Sequence, residues 1–115
     1  MTYQWRIFLA SLEPVCGSEQ SGRRPVLIVS REQLNQMLPV VNIVPLTSRK
    51  SVARVIYPNE VLLPRASAGL LMESIALCYQ IRTLDKHRLE REIGEIHDVA
   101  LKNEIHEAIR FQLDL

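Results

Sequence analysis

Short apolar segments, each closed by proline, glycine or polar residues, fill most of the chain, and a helical period appears only after them; no other feature limits the fold as much. Residues 5–12, rich in Trp, Ile, Phe and Leu, predict a strand closed by Glu13 and Pro14. Residues 25–30 predict a second strand, with Pro25 at its first position, where a missing N–H does least harm. Residues 31–37 allow a helical turn before Pro39, and residues 40–46 are nearly continuous in apolar side chains, the mark of a central strand. Alternation over 52–57, then segments 61–63 and 74–81, continue the β pattern. After Arg82 the period changes. Leu89, Ile93 and Ile96, then Leu101, Ile105, Ala108 and Ile109, fall at helical spacing, with Asp85 and Asp98 as N-caps. Five or more short strands ahead of helices predict a mainly β fold: a small, strongly curved antiparallel sheet or barrel over about residues 3–82, with a helical tail over about 83–115 packed on it.

A chain of 115 residues holds one core, so it is a single domain whose active site is small or shared between subunits. Its 47% apolar and 23% charged residues are ordinary globular values, which exclude disorder and fibrous repeats. The longest apolar runs are strand-sized, far short of the roughly 20 residues of a membrane helix. Residues 1–6 lack the basic cap and apolar core of a secretory signal, so a cytoplasmic location without a membrane partner is expected. Cys16 and Cys78 show neither CxxC spacing nor disulfide density, and His87, His97 and His106 lie apart from both, so neither a metal nor a cofactor is expected. The net charge of +1 conceals a division: residues 1–88 carry 11 Lys and Arg against 6 Asp and Glu, and residues 89–115 carry 3 against 7. The basic portion suits a phosphate-bearing partner.

Two loops combine basic and hydroxyl groups beside buried strands: residues 17–24 and residues 47–51. Arg24 is restricted by the ring of Pro25 that follows it, and a guanidinium held in this way can grip a phosphate through two parallel N–H bonds. Thr47 offers a hydroxyl at the end of the third strand.

The run Pro-Val-Cys-Gly-Ser-Glu-Gln-Ser-Gly-Arg-Arg-Pro-Val-Leu-Ile-Val-Ser over residues 14–30 resembles the motif around the first two strands of the MazF/PemK family of toxin endoribonucleases. Val44-Pro45-Leu46-Thr47-Ser48 resembles the family's third-strand motif, and Gln80-Ile81-Arg82-Thr83-Leu84-Asp85-Lys86 the segment before its C-terminal helices. The resemblance implies an SH3-like barrel of the CcdB/MazF type, a homodimer, and sequence-selective, metal-independent cleavage of single-stranded RNA, mRNA included. It further implies inhibition by a cognate, MazE-like antitoxin that covers the RNA groove. Arg24 and Thr47 fall on the family's catalytic arginine and hydroxyl positions. The expected chemistry is attack of the ribose 2′-OH on phosphorus, in which Arg24 stabilises phosphoryl charge and Thr47 adds a hydrogen bond. The general base is left open.

Ser18, Glu19, Gln20, Ser48, Arg49, Lys50, Arg54, Gln80 and Arg82 are the expected RNA-binding residues, with Arg49, Lys50 and Arg54 assigned to backbone phosphates. Glu19 and Gln20 order the first loop or read a base, and Phe8, Tyr57 and Tyr79 are the aromatics available for stacking. The chain departs from the family pattern in places. Gln4-Trp5-Arg6 replaces the usual Arg-Gly-Asp, Ser11 replaces a frequent acid, and the PemK/Kid branch's His, Arg and Asp positions read Ser18, Leu77 and Tyr79. Two other readings share the fold: a CcdB-like poison that binds DNA gyrase and cleaves nothing, and a catalytically degenerate toxin relative. A gyrase poison has no use for Arg24-Pro25 together with Thr47, which favours the nuclease.

Overall fold

Strand β3 (Val40–Ser48) is the spine of the computed structural model, which describes residues 1–115. Val44 and Leu46 enter one core cluster and Val41 and Ile43 another, so this strand is buried on both faces and is apolar almost throughout for that reason. One edge of β3 pairs with β2 (Arg23–Ile28), which pairs in turn with β1 (Arg6–Ser11). The other edge carries β6 (Arg82–Asp85) beside its first half and β5 (Ser74–Leu77) beside its last. With β4 (Glu60–Leu63) on β5 and β7 (Leu89–Glu95) on β1, the order is β4-β5-β3-β2-β1-β7, with every pairing antiparallel. The mainly β architecture expected above is observed.

The outer strands β4 and β7 do not pair. The segment before β5 spans that side instead: the Glu95 N–H donates to the Ala68 carbonyl at 3.2 Å. This approach requires Gly94, because a Cβ there would lie 2.0 Å from that same carbonyl oxygen. Gly69, at φ +79°, lets the segment turn away.

Helix α1 (Glu32–Met37) links β2 to β3, and α2 (Val99–Leu113) covers one end of the larger core cluster with Leu101, Ile105 and Ala108. Asp98 caps α2 as expected, its carboxylate accepting the Ala100 N–H at 2.8 Å. No helix is long and apolar enough to cross a membrane.

Three expectations need correction. Residues 89–95 form a strand, not a helix, so the sheet extends past residue 82 and the helical tail reduces to α2. The cause is a pair of irregularities in the β1–β7 register: Ile7 lies opposite Gly94 but Phe8 opposite Glu92, and Leu9 lies opposite Arg91 but Ala10 opposite Leu89. Each inserts a residue into β7 and breaks its alternation, so Leu89 packs on one core cluster and Ile93 and Ile96 on the other, at a spacing that imitates a helix. Asp85 accordingly caps only a 3-10 turn (Lys86–Arg88), accepting the His87 N–H at 2.8 Å. Residues 52–57 form no strand. Val52 and Val55 are exposed, so alternation here buries no apolar face, and the segment joins no ladder of the sheet. The segment 74–81 is strand only to Leu77, where a 3-10 turn (Cys78–Gln80) interrupts it.

Candidate active site

Phe8 and Ala10 of β1, Val26 and Ile28 of β2, Val41 and Ile43 of β3 and Leu84 of β6 join one core cluster. Residues two apart in a strand share a face, so Arg24, Thr47 and Arg82 belong to that same side of the sheet. The β2–β3 register runs Ile28↔Ile43, Leu27↔Val44, Val26↔Pro45, and continued by two residues it sets Arg24 opposite Thr47. There the strands no longer pair with each other: Arg24 lies against Ala10 of β1, and Thr47 against Ile75 of β5. The two side chains are therefore left at a fork in the sheet.

Their hydrogen bonding leaves donors free. Half-buried Arg24 donates through Nε to the Ser21 carbonyl at 2.8 Å, and both terminal guanidinium nitrogens have no partner in the chain. The Thr47 hydroxyl makes no hydrogen bond, and exposed Lys50 makes no ion pair. Arg23, by contrast, points to the other face and binds Glu90 at 2.5 and 3.1 Å, which holds the Glu90 carboxyl below its usual range.

The first loop is tied over this face. Gly17 and Gly22 turn it at φ +56° and +77°. The Gln80 carboxamide then grips it twice, Oε1 accepting the Gln20 N–H at 3.1 Å and Nε2 donating to the Ser18 carbonyl at 3.1 Å. Arg82 donates to the Leu12 carbonyl at 3.3 Å, and Glu19 accepts the Cys16 N–H. A recess of about 450 Å³ lies between Ser18, Glu19, Gln20, Pro45, Gln80 and Arg82. A second, of about 360 Å³, joins Gln20 to Thr47, Ser48 and Lys50. Tyr79 lines both.

Nine of the sequence-predicted residues thus gather around the two recesses and the fork, and Arg49 and Arg54 are differently employed. Arg49 binds Glu73 at 3.1 Å and the Val52 and Arg54 carbonyls at 2.8 and 3.3 Å. Arg54 forks onto Glu60 at 2.7 and 2.8 Å, and although it borders the second recess its charge is committed to a carboxylate whose side chain is only 3% exposed. The Arg54 hydrogen bonds, opposed by desolvation and helped by the Tyr57 N–H, hold the Glu60 carboxyl below its usual range. These two arginines brace the loop between β3 and β4, which explains how a segment without strand pairing is ordered. Nothing in the local sequence marks Glu60 and Glu73 as their partners, nor Gln80 as a clamp for a loop some sixty residues away. The Cys78 thiol is buried in the core, and that burial, with the charge of Glu60, pushes it up to about 12. A further groove, of about 870 Å³, runs along α2 past Val61, Glu107 and Phe111 and does not include Thr47.

A curved antiparallel sheet with a helix at its end, and a basic fork flanked by recesses, defines a class that the comparisons make specific. The family model for PemK-like, MazF-like toxins of type II toxin–antitoxin systems matches residues 3–113. An endoribonuclease MazF from Staphylococcus saprophyticus is 38% identical over 109 residues, covering 95% of this chain and 88% of that protein. MazF from Deinococcus radiodurans shares the fold with a TM-score of 0.82 at 25% identity, over 98% of this chain and 96% of that one. The Mycobacterium tuberculosis toxin MazF-mt6 gives 0.76 at 28% identity, over 96% and 97%. A mycobacterial endoribonuclease solved in complex with its cognate antitoxin gives 0.78 at 26%, over 98% and 95%. The chain belongs to the PemK-like, MazF-like toxin family.

Proposed function

We propose that this chain is a toxin endoribonuclease that cleaves single-stranded RNA through the ribose 2′-hydroxyl, with Arg24 and Thr47 at the scissile phosphate. The observation that carries the reading is the fork, where a guanidinium with both terminal nitrogens free and an unpartnered hydroxyl sit on the same side of the sheet, on the two strands that part there. In the reaction the 2′-oxygen attacks phosphorus, the P–O5′ bond breaks, the 2′-proton leaves to a base, and the departing 5′-oxygen takes up a proton. The products are a 2′,3′-cyclic phosphate and a 5′-hydroxyl. Charge accumulates on the two non-bridging oxygens, and a fixed guanidinium meets them with two N–H bonds without having to change protonation state. Thr47 donates a further hydrogen bond. The nucleophile belongs to the substrate, so no metal-activated water is required.

RNA on either side of the cleaved bond lies in the two recesses, where Ser18, Glu19, Gln20, Gln80 and Arg82 line the first and Ser48 and Lys50 the second. Lys50 supplies the uncommitted cation for the backbone. A second copy of the chain docks beside the fork. A cavity of about 460 Å³ next to Pro25 and Ser48 carries Leu71 and Met72, 88% and 53% exposed, and apolar side chains so placed call for cover. A cognate antitoxin covers the RNA groove and silences the enzyme, a reading supported by the mycobacterial relative solved with its own antitoxin. Cytoplasmic RNA is the substrate pool.

The test is cleavage of a long single-stranded RNA in excess EDTA, alongside an oligonucleotide carrying one 2′-deoxyribose at the cleaved position. The RNA should be cut and the substituted bond should resist. Equal cutting of the substituted bond would overturn the 2′-hydroxyl mechanism.

A further inference from the structure

Opposite β3, the chain between β5 and β6 carries more residues than the ladder can pair. Ala76 faces Leu46 and Arg82 faces Ile43, so residues 77–81 run past only Val44 and Pro45, an excess of three. The 3-10 turn Cys78–Gln80 takes up that excess. Cys78 turns into the core, and Gln80 reaches back to the first loop. Tyr79 is lifted out of the sheet, 41% exposed, with no hydrogen bond from its hydroxyl.

No other aromatic side chain lines either recess. Tyr3 stacks on Phe8, Trp5 packs against His106, and Phe111 and Tyr57 lie toward α2 and the β3–β4 loop. Beside Tyr79, Gln20 uses only its main-chain N–H, and its side-chain oxygen is covered yet has no hydrogen-bond partner. A covered acceptor left unpaired is a cost, and a ligand with an amino group would relieve it once the carboxamide turned outward.

We propose that Tyr79 is the platform on which one unpaired base flanking the cleaved bond stacks, and that the Gln20 carboxamide reads the edge of that base through hydrogen bonds. The assignment rests on the endoribonuclease reading and adds to it how substrate sequence is sensed. An unpaired base presents a π-face of base size and an edge of donors and acceptors, and a phenol ring beside a free carboxamide answers both. A carboxamide accepts one N–H of a base edge through its oxygen and donates its NH2 to the neighbouring acceptor, so a base whose donor and acceptor are transposed fits the fixed group less well.

The experiment uses the full chain and a 2′-deoxy-blocked oligonucleotide whose binding is followed by fluorescence anisotropy, with cleavage sites on a long RNA mapped in parallel. Tyr79→Leu, which keeps apolar bulk but removes the ring, should weaken binding by roughly 5- to 150-fold and broaden the set of sites cut. Tyr79→Phe should stay within about twofold of the parent, since stacking needs the ring and not the hydroxyl. Gln20→Ala should keep most of the affinity while losing discrimination among bases at one position of the cleaved sites. Circular dichroism confirms that each variant is folded. If the parent cuts RNA and Tyr79→Leu binds as tightly and cuts the same sites, the platform is wrong while the nuclease reading stands. If the parent neither cuts nor binds RNA, both fall.

Discussion

Arg23 and Arg24 are adjacent, equally charged and carried by the same strand, yet alternation sends Arg23 to Glu90 and Arg24 to the fork. Arg24→Ala should therefore slow cleavage by about a hundredfold or more, as the loss of a charge-stabilising donor does elsewhere, with Thr47→Ala less severe. Arg24→Lys should recover little, because an ammonium cannot reproduce the guanidinium fork. Arg23→Ala should cleave at close to the parent rate, and single-turnover rates at saturating RNA for the four variants decide the matter. Glu32 makes a second prediction at this scale. Desolvation opposes its charge and is outweighed by hydrogen bonds from the Gln36 amide, the Gln4 and Tyr3 N–H groups and the Asn35 amide, which bring the carboxyl down to about 2. Because the folded value lies below the unfolded one, the stabilisation is complete above the ordinary carboxylate range and is lost as pH falls from there toward about 2. Melting temperature should drop across that window, and Glu32→Gln should flatten the dependence while melting lower at neutral pH.

Among the elements, β7 and the segment before β5 depend most on one another. Gly94 is where the Ala68 carbonyl crosses β7, and a Cβ at 2.0 Å would displace backbone, not a flexible side chain. Gly94→Ala should cost about 2 kcal/mol or more, roughly 8–15 °C in Tm by thermal denaturation. The site should suffer indirectly. The displaced segment leads through Leu71 and Met72 into β5, which lies against Thr47. An Ala variant with the parent's Tm would mean that this side of the sheet is held some other way.

At the scale of the molecule, 115 residues wrapped into one curved sheet leave an apolar loop beside the fork, and the chain should not work alone. Light scattering at micromolar concentration should give about twice 13.2 kDa. Replacing Leu71 and Met72 together by glutamate should shift the mass toward one chain and lower activity with Arg24 and Thr47 untouched. A parent that runs as a single chain while cutting RNA at full rate would refute this.

Local structure was readable from the chain: strands β1 to β3 from their apolar runs and the α2 cap from Asp98, whereas Arg24 and Thr47 were singled out by the family resemblance of their motifs. Each depends on neighbours within a few residues, so the information is local. Tertiary structure decided the rest. β7 reads as a helix because two bulges break its alternation, and a bulge exists only relative to the strand it pairs with. Arg49 and Arg54 read as phosphate ligands until Glu73 and Glu60 are brought to them. Tyr79 could be assigned to core or surface until the three-residue excess against β3 lifted it out of the sheet. Pairing register and ion-pair choice are relations between distant segments, settled by which strands meet, and a period read along one segment carries no record of its partner.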